Sequence, residues 1–277
     1  IIFVCKGVHM EKHLIAVDLD GTLLTDDKKI SKRNIQALRK AMKQGHEVVI
    51  ATGRPYRASI MYYEEIGLTS PIVNFNGAFV HYPGNDDWGV YHEPLDLETV
   101  KEIMQVSEKY EIHNILAEVM DDVYFHFHDE KLLDIFSFGN PKMETGDLRS
   151  ILKKDPTCLL IHASEEEVEK IRHYLSEVHA EVIDHRRWAA PWHIIEIVRT
   201  GMNKSVGLER IAKHYNIPQQ NIIAFGDEDN DFEMIEYAGT GVAMGNAIDE
   251  LKQKANEITL TNEEDGIAVF LEKYLKL

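Results

Sequence analysis

Only two cysteines, Cys5 and Cys158, occur along the 277 residues, so no disulfide framework can be drawn and no paired-cysteine zinc motif exists. A reducing cytoplasm is the expected compartment. Positive charge is also scarce: 30 Lys and Arg stand against 47 Asp and Glu, a formal net charge of −17 that repels nucleic acid and anionic membranes. Neither is expected as a partner. No apolar run reaches the ~18 residues of a membrane span, and Ile1-Ile2-Phe3-Val4-Cys5 is too short for the apolar stretch of a signal peptide. Because the first residue is isoleucine, Met10 is the expected natural start and residues 1–9 an upstream extension.

What is present is an ordinary globular composition, longer than the about 100–200 residues of one usual domain, so one large or two modest domains are expected. From His13 onward, short apolar runs alternate with stretches of helical period, which specifies an α/β fold with a doubly wound, mostly parallel sheet. Leu14 to Asp18 reads as the first strand. Ser31 caps a helix carrying Ile35, Leu38 and Met42, Gly45 closes it, and Glu47 to Ala51 is the next strand. Pro55 suits the first residue of a helix, and a strand follows near Pro71 to Phe75. Between residues 84 and 192 the pattern changes to longer, more polar strands such as Val123 to Phe127. Helices are expected there at Leu97 to Tyr110 and Glu165 to Glu177, the latter with Ser164 and Glu167 at capping-box spacing. This is an inserted α+β domain at 84–192, within a discontinuous core of 10–83 and 193–277. The core pattern resumes with Ile194 to Val198, Lys204 to Tyr215 and Asn221 to Phe225. Gly84 to Asp87 and Ala189-Ala190-Pro191 are the expected hinges.

Three of these strands run into polar residues at their carboxyl ends, where open α/β sheets bind ligands. The first ends in Asp18-Leu19-Asp20-Gly21-Thr22, with two carboxylates that the strand period of two aims to one side. The second ends in Thr52-Gly53-Arg54, a hydroxyl and nearby amides suited to phosphate oxygens. The third ends in Gly226-Asp227-Glu228-Asp229-Asn230-Asp231, hard oxygen donors of the kind magnesium takes. Lys204, opening the helix after Gly201, adds a fixed positive charge. Standing alone, each motif is more simply a strand entering a polar turn.

Together and in this order, they resemble the haloacid dehalogenase-like (HAD) hydrolase superfamily. Asn76-Gly77, the large insertion, and Asn262 to Ala268 resemble its Cof-type branch, whose inserted domain is a type IIB (C2B) cap. The resemblance implies an enzyme: a magnesium-dependent phosphatase of small phosphate monoesters such as sugar phosphates, working through an aspartyl-phosphate. Asp18 would then be nucleophile and metal ligand, and Asp20 acid and base, its backbone carbonyl also binding the metal. Asp227 would be a side-chain metal ligand, and Asp231 would help to hold the metal shell or Lys204. Lys204 would be catalytic, cancelling charge together with magnesium, while Thr52, Gly53 and Asn230 would bind phosphate, with Arg54 at the substrate or across the cleft. Asp20 excludes carbon–halogen cleavage, which needs no protonated leaving group, and leaves phosphomutase as the rival enzyme. A non-catalytic ligand-binding member is the alternative of another class. Two departures from the branch are visible: Glu228 and Ser205 stand where glycine is usual.

Other residues have simpler readings. His126 and His128 suit a solvated strand face better than a metal site, Trp188 and Trp192 packing at the domain junction, and Glu165-Glu166-Glu167 the first turn of a helix. The sequence sets no oligomeric state.

Overall fold

The computed structural model describes residues 11–107, 109–188 and 193–277. The expected extension at 1–9, Met10, the hinge Ala189-Ala190-Pro191 and Trp192 lie outside the described residues. The strands, numbered along the chain, are β1 Leu14–Val17, β2 Glu47–Ile50, β3 Ile72–Asn74, β4 Phe79–His81, β5 Val90–His92, β6 Ile112–Val119 and β7 Asp122–Phe125. They continue as β8 Met143–Thr145, β9 Cys158–Ala163, β10 Ile183–Arg187, β11 Ile194–Arg199, β12 Ile222–Gly226, β13 Thr240–Ala243 and β14 Glu257–Ile258. Among the described residues no helix is long and apolar enough to cross a membrane.

The chain divides into two compact units, one formed by the segment up to Ile50 with Ile66–Ser70 and Leu208–Leu277, the other by Ala51–Glu65 and Pro71–Gly207. The first unit holds a parallel sheet in the order β14-β13-β12-β1-β2, with Leu14 opposite both Ile222 and Glu47. Every residue of β1 is fully buried, as a central strand covered on both faces must be. Ser31 caps helix Lys32–Lys43, its side chain accepting the Asn34 amide. That helix buries Asn34, Ala37, Leu38 and Ala41 rather than the stripe centred on Ile35 and Met42, which are half-buried. Asn34 is tolerated inside because its Oδ1 accepts the Ala268 amide at 3.0 Å.

The second unit carries a six-stranded sheet, β10-β11-β9-β6-β7-β8, and a three-stranded antiparallel sheet, β3-β4-β5. In the larger sheet Ile115, Ala117, Leu159, Ile161, Ile195 and Ile197 pack with Val100, Ile103, Val168, Ile171 and Leu175 of helices Leu97–Ser107 and Glu165–Val178. The alternate residues Leu116, Cys158, Leu160, Ile194 and Val198 join Phe75, Phe79, Leu132 and Phe136 in a second cluster.

Three local expectations are corrected. Ile194–Arg199 does not reopen the parallel sheet but pairs antiparallel between β10 and β9, because its apolar residues on both faces need cover that this sheet provides. Pro55 precedes only a 3₁₀ turn, Tyr56–Ala58, where the Ser59 hydroxyl bonds the Pro55 and Tyr56 carbonyls; the α-helix starts at Ile60. Ser164 occupies the N-cap position but its side chain caps nothing, and the Glu167 carboxylate pairs with Lys170 instead.

Candidate active site

The chain leaves β1 at Asp18, which is buried, and enters a wide turn over Leu19–Leu23. Two hydrogen bonds close it, Leu23 N to Asp18 O and Leu24 N to Leu19 O, while Leu19 and Leu23 anchor it in the core. Asp20 belongs to this turn and not to the strand, so the strand period does not govern its direction. Its carboxylate is 44% exposed, and Oδ1 accepts from Lys28 Nζ at 2.8 Å. Gly21 has φ +73, and a Cβ there would run into the Asp227 carboxylate, so only glycine allows this approach.

Asp227 follows β12, is buried, and its Oδ1 accepts from the Thr22 hydroxyl at 2.6 Å. The Asp231 side chain turns back on the same loop: Oδ2 accepts the Asp227 and Glu228 amides at 2.9 and 3.1 Å. Glu228, the departure from glycine, is the N-cap of the turn Asp229–Asp231 and forms a reciprocal capping box with Asp231. Burial and then Asp229 push the Glu228 carboxyl above its ordinary range. Asn230, half-buried, lies in the same turn.

The three buried carboxylates Asp18, Asp227 and Asp231 each offer an oxygen, and these lie within 4.8 Å of one another. Such a buried concentration of negative charge calls for a cation, and hard carboxylate donors fit a divalent one. The side chains of His126 and His128 join no such cluster: His126 Nδ1 accepts the Leu148 amide at helix Leu148–Ile151.

The second unit carries the remaining predicted residues. The Thr52 amide donates to Val73 O and its hydroxyl accepts the Arg54 amide at 3.1 Å. A Cβ on Gly53 would meet the Asn76 side chain, and Asn76, at φ +50, donates its own amide to Thr52 O. The Arg54 guanidinium donates to Ala58 O at 3.1 Å and lies over the Tyr62 ring. Lys204 is fully buried at the first position of helix Lys204–Tyr215. Ser205, the other departure, bonds through both amide and hydroxyl to Asn203 Oδ1 and so helps to close that helix end. Glu196 of β11 accepts from Trp188 Nε1 at 3.2 Å, and burial pushes its carboxyl up to about 7 despite the opposing pull of Trp188 and Lys204. Trp188 itself stacks on Phe136, a packing contact within the second unit.

Thr22 and Lys28 had no assigned part. Thr22 stands inside the first motif, where its spacing to Asp227 in sequence carries no signal, and Lys28 reaches Asp20 only because Leu24 and Ile30 pair as a hairpin.

The sequence profile of the haloacid dehalogenase-like hydrolases matches residues 15–271. The chain belongs to this family. It is 60% identical to the 5-amino-6-(5-phospho-D-ribitylamino)uracil phosphatase YitU of Bacillus subtilis, over 96% of this chain and 98% of that one. A haloacid dehalogenase-like hydrolase of Bacteroides thetaiotaomicron shares the fold with a TM-score of 0.83 and 27% identity, over 95% of this chain and 100% of that one. The HAD subclass IIB sugar phosphatase BT4131 does so with a TM-score of 0.81 and 24% identity, over 96% and 100%. The chain therefore has the Cof-type α/β architecture of a haloacid dehalogenase-like hydrolase with an added cap, and Asp18, Asp227 and Asp231 form an acidic cluster whose donor chemistry fits a divalent cation.

Proposed function

We propose that the chain is a cytoplasmic, magnesium-dependent phosphatase, with 5-amino-6-(5-phospho-D-ribitylamino)uracil as its substrate. The observation that carries the chemistry is the buried cluster of Asp18, Asp227 and Asp231, and the 60% identity to a phosphatase of that name carries the substrate. Residues 84–192 act in this reading as the cap that selects the substrate.

Bound magnesium would lower the charge repulsion between a carboxylate nucleophile and a phosphate dianion. An Asp18 oxygen attacks phosphorus, the ester P–O bond breaks, and the Asp20 carboxyl gives its proton to the leaving alkoxide. Asp20, now ionised, takes a proton from water as that water attacks phosphorus; the bond to Asp18 breaks and inorganic phosphate leaves. Partial exposure of Asp20 suits it to exchange protons with water, and Lys28 Nζ, 2.8 Å from Oδ1, orients its carboxyl group. To Thr52, Gly53, Asn230 and Lys204 we assign the phosphoryl oxygens, and to Arg54 the more distant substrate or the walls of its own loop. Asp227 and Asp231 hold the cation, with the two loop amides fixing one Asp231 oxygen.

The test is inorganic phosphate release from the ribitylamino-uracil phosphate, pyridoxal phosphate and a set of sugar phosphates, with and without magnesium. Asp18→Asn, near isosteric, is the control. Magnesium-dependent release that is fastest on the uracil compound and lost in the variant supports both parts. An isomerised ester without free phosphate would replace the phosphatase by a mutase, and turnover surviving in Asp18→Asn would remove the nucleophile.

A further inference from the structure

Arg57 lies three residues after Arg54 and has no place in the chemistry above, yet it is only 7% exposed. A buried guanidinium is uncommon unless its geometry is fixed by several partners. Here the partners come from separate parts of one compact unit. Arg57 Nη2 forms an ion pair with Glu118 of β6, which is itself buried. The Arg57 amide donates to Asp121 Oδ1 at 2.9 Å in the turn between β6 and β7, and Nη1 lies 4.0 Å from the same oxygen. The second Glu118 oxygen faces Cys158 Sγ at 3.5 Å on β9. Gly139, at φ +79, presses against the Arg57 backbone and Cβ so closely that any side chain there would collide.

The segment that Arg57 ends is short and stiff. Thr52 Oγ1 holds the Arg54 amide, the Ala58 amide donates to Pro55 O, and the Arg54 guanidinium returns to Ala58 O, next to Arg57. Asn74 Nδ2 and the Phe75 amide both bond the Arg54 carbonyl. Little slack separates Arg57 from Thr52, so a shift at one end is passed to the other. A buried ion pair is also a poor device for stability alone, since well-packed apolar residues usually serve as well; its directionality is what they cannot copy.

We propose that Arg57, with Glu118 and Asp121, is a positioning clasp that fixes the Thr52–Arg54 loop on the β6–β7 hairpin and so sets the phosphate-binding geometry. This rests on the assignment of Thr52 and Gly53 to phosphate given above. It makes Arg57 a positioning residue, acting through Thr52 without touching substrate.

The experiment compares the parent, Arg57→Met with Glu118→Leu as an apolar double replacement, Glu118→Gln, Arg57→Lys and Thr52→Ala. Thermal unfolding, kcat, KM and inorganic phosphate affinity in magnesium are measured, the last by titration calorimetry, which needs no turnover. The expected result is a folded double variant with an unfolding midpoint close to the parent. Its kcat and phosphate affinity fall about tenfold, in the direction of Thr52→Ala, with partial recovery in Arg57→Lys. A folded double variant with parental kcat and phosphate affinity overturns the clasp. Should the double variant not fold, Glu118→Gln decides by the same two readouts, since it keeps the shape and removes the charge. If instead the parent and Thr52→Ala bind phosphate equally, the assignment of Thr52 fails, and the clasp with it.

Discussion

Replacing Glu196 by glutamine should stabilise the protein at alkaline pH and leave it unchanged in acid. The carboxyl sits half-buried on β11, accepts from Trp188 Nε1, and titrates at about 7 instead of 4.5, chiefly because burial disfavours its charge. The folded state thus keeps a proton that the unfolded chain releases near 4.5. The group's contribution is fully present below pH 4.5 and is lost as pH rises through about 7. The separation corresponds to about 3 kcal/mol, and about 2 kcal/mol once residual solvent access is discounted. Glutamine keeps an oxygen for the indole N–H and carries no charge to desolvate, so it escapes this loss. With about 2–4 °C per kcal/mol for a chain near this size, the midpoint at pH 8 should rise by about 4–8 °C. Scanning fluorimetry of parent and variant at pH 4.5, 6, 7 and 8 gives the profile. A gain equal at all four values would refute the reasoning, because it would mean that packing and not ionisation distinguishes the two side chains.

Asp20→Asn should slow hydrolysis of alkyl phosphates by about a hundredfold or more while changing an aryl phosphate with a good leaving group far less; equal losses in a comparison of kcat values would exclude Asp20 as the leaving-group acid. Gly21→Ala places a Cβ at φ +73 against the Asp227 carboxylate, so it should lose about 1 kcal/mol of stability from the backbone and about a hundredfold in kcat, read by fluorimetry and phosphate release. Calcium in place of magnesium should reduce turnover at least tenfold, because its looser and larger shell spreads the Asp18, Asp227 and Asp231 oxygens; steady-state rates at matched occupancy check this.

How far the sequence discloses this protein depends on whether the deciding interaction is local. Leu14 to Val17 and Ile222 to Gly226 are apolar runs flanked by carboxylates, so burial alone makes them central strands and sets Asp18 and Asp227 at their ends. The cluster of Asp18, Asp227 and Asp231 was therefore legible as motifs before any contact was known. Ile194–Arg199 was not: a strand that is apolar on both faces suits a parallel sheet or a covered antiparallel one equally, and pairing with β9 and β10 decides. The Arg57–Glu118 ion pair has no sequence signal either, because two charged residues 61 positions apart are indistinguishable from two solvated ones until the chain buries them.

Glu228 separates these cases most clearly. As a departure from glycine beside the carboxylates, it adds one more negative charge to that loop. Its side chain also accepts the Asp231 amide, while Asp231 accepts the amides of Asp227 and Glu228, so the extra carboxylate is part of what holds the Asp231 side chain in place. Charge and brace act in opposite directions on the site, and Glu228→Gln separates them, since it keeps an acceptor for the Asp231 amide without the charge. If the brace is the larger effect, Glu228→Gln should hold parental magnesium affinity in calorimetry while Glu228→Gly, which loses both, binds more weakly by several-fold. Tighter binding in Glu228→Gly than in the parent would instead make the charge the dominant effect, and the capping geometry incidental to the metal.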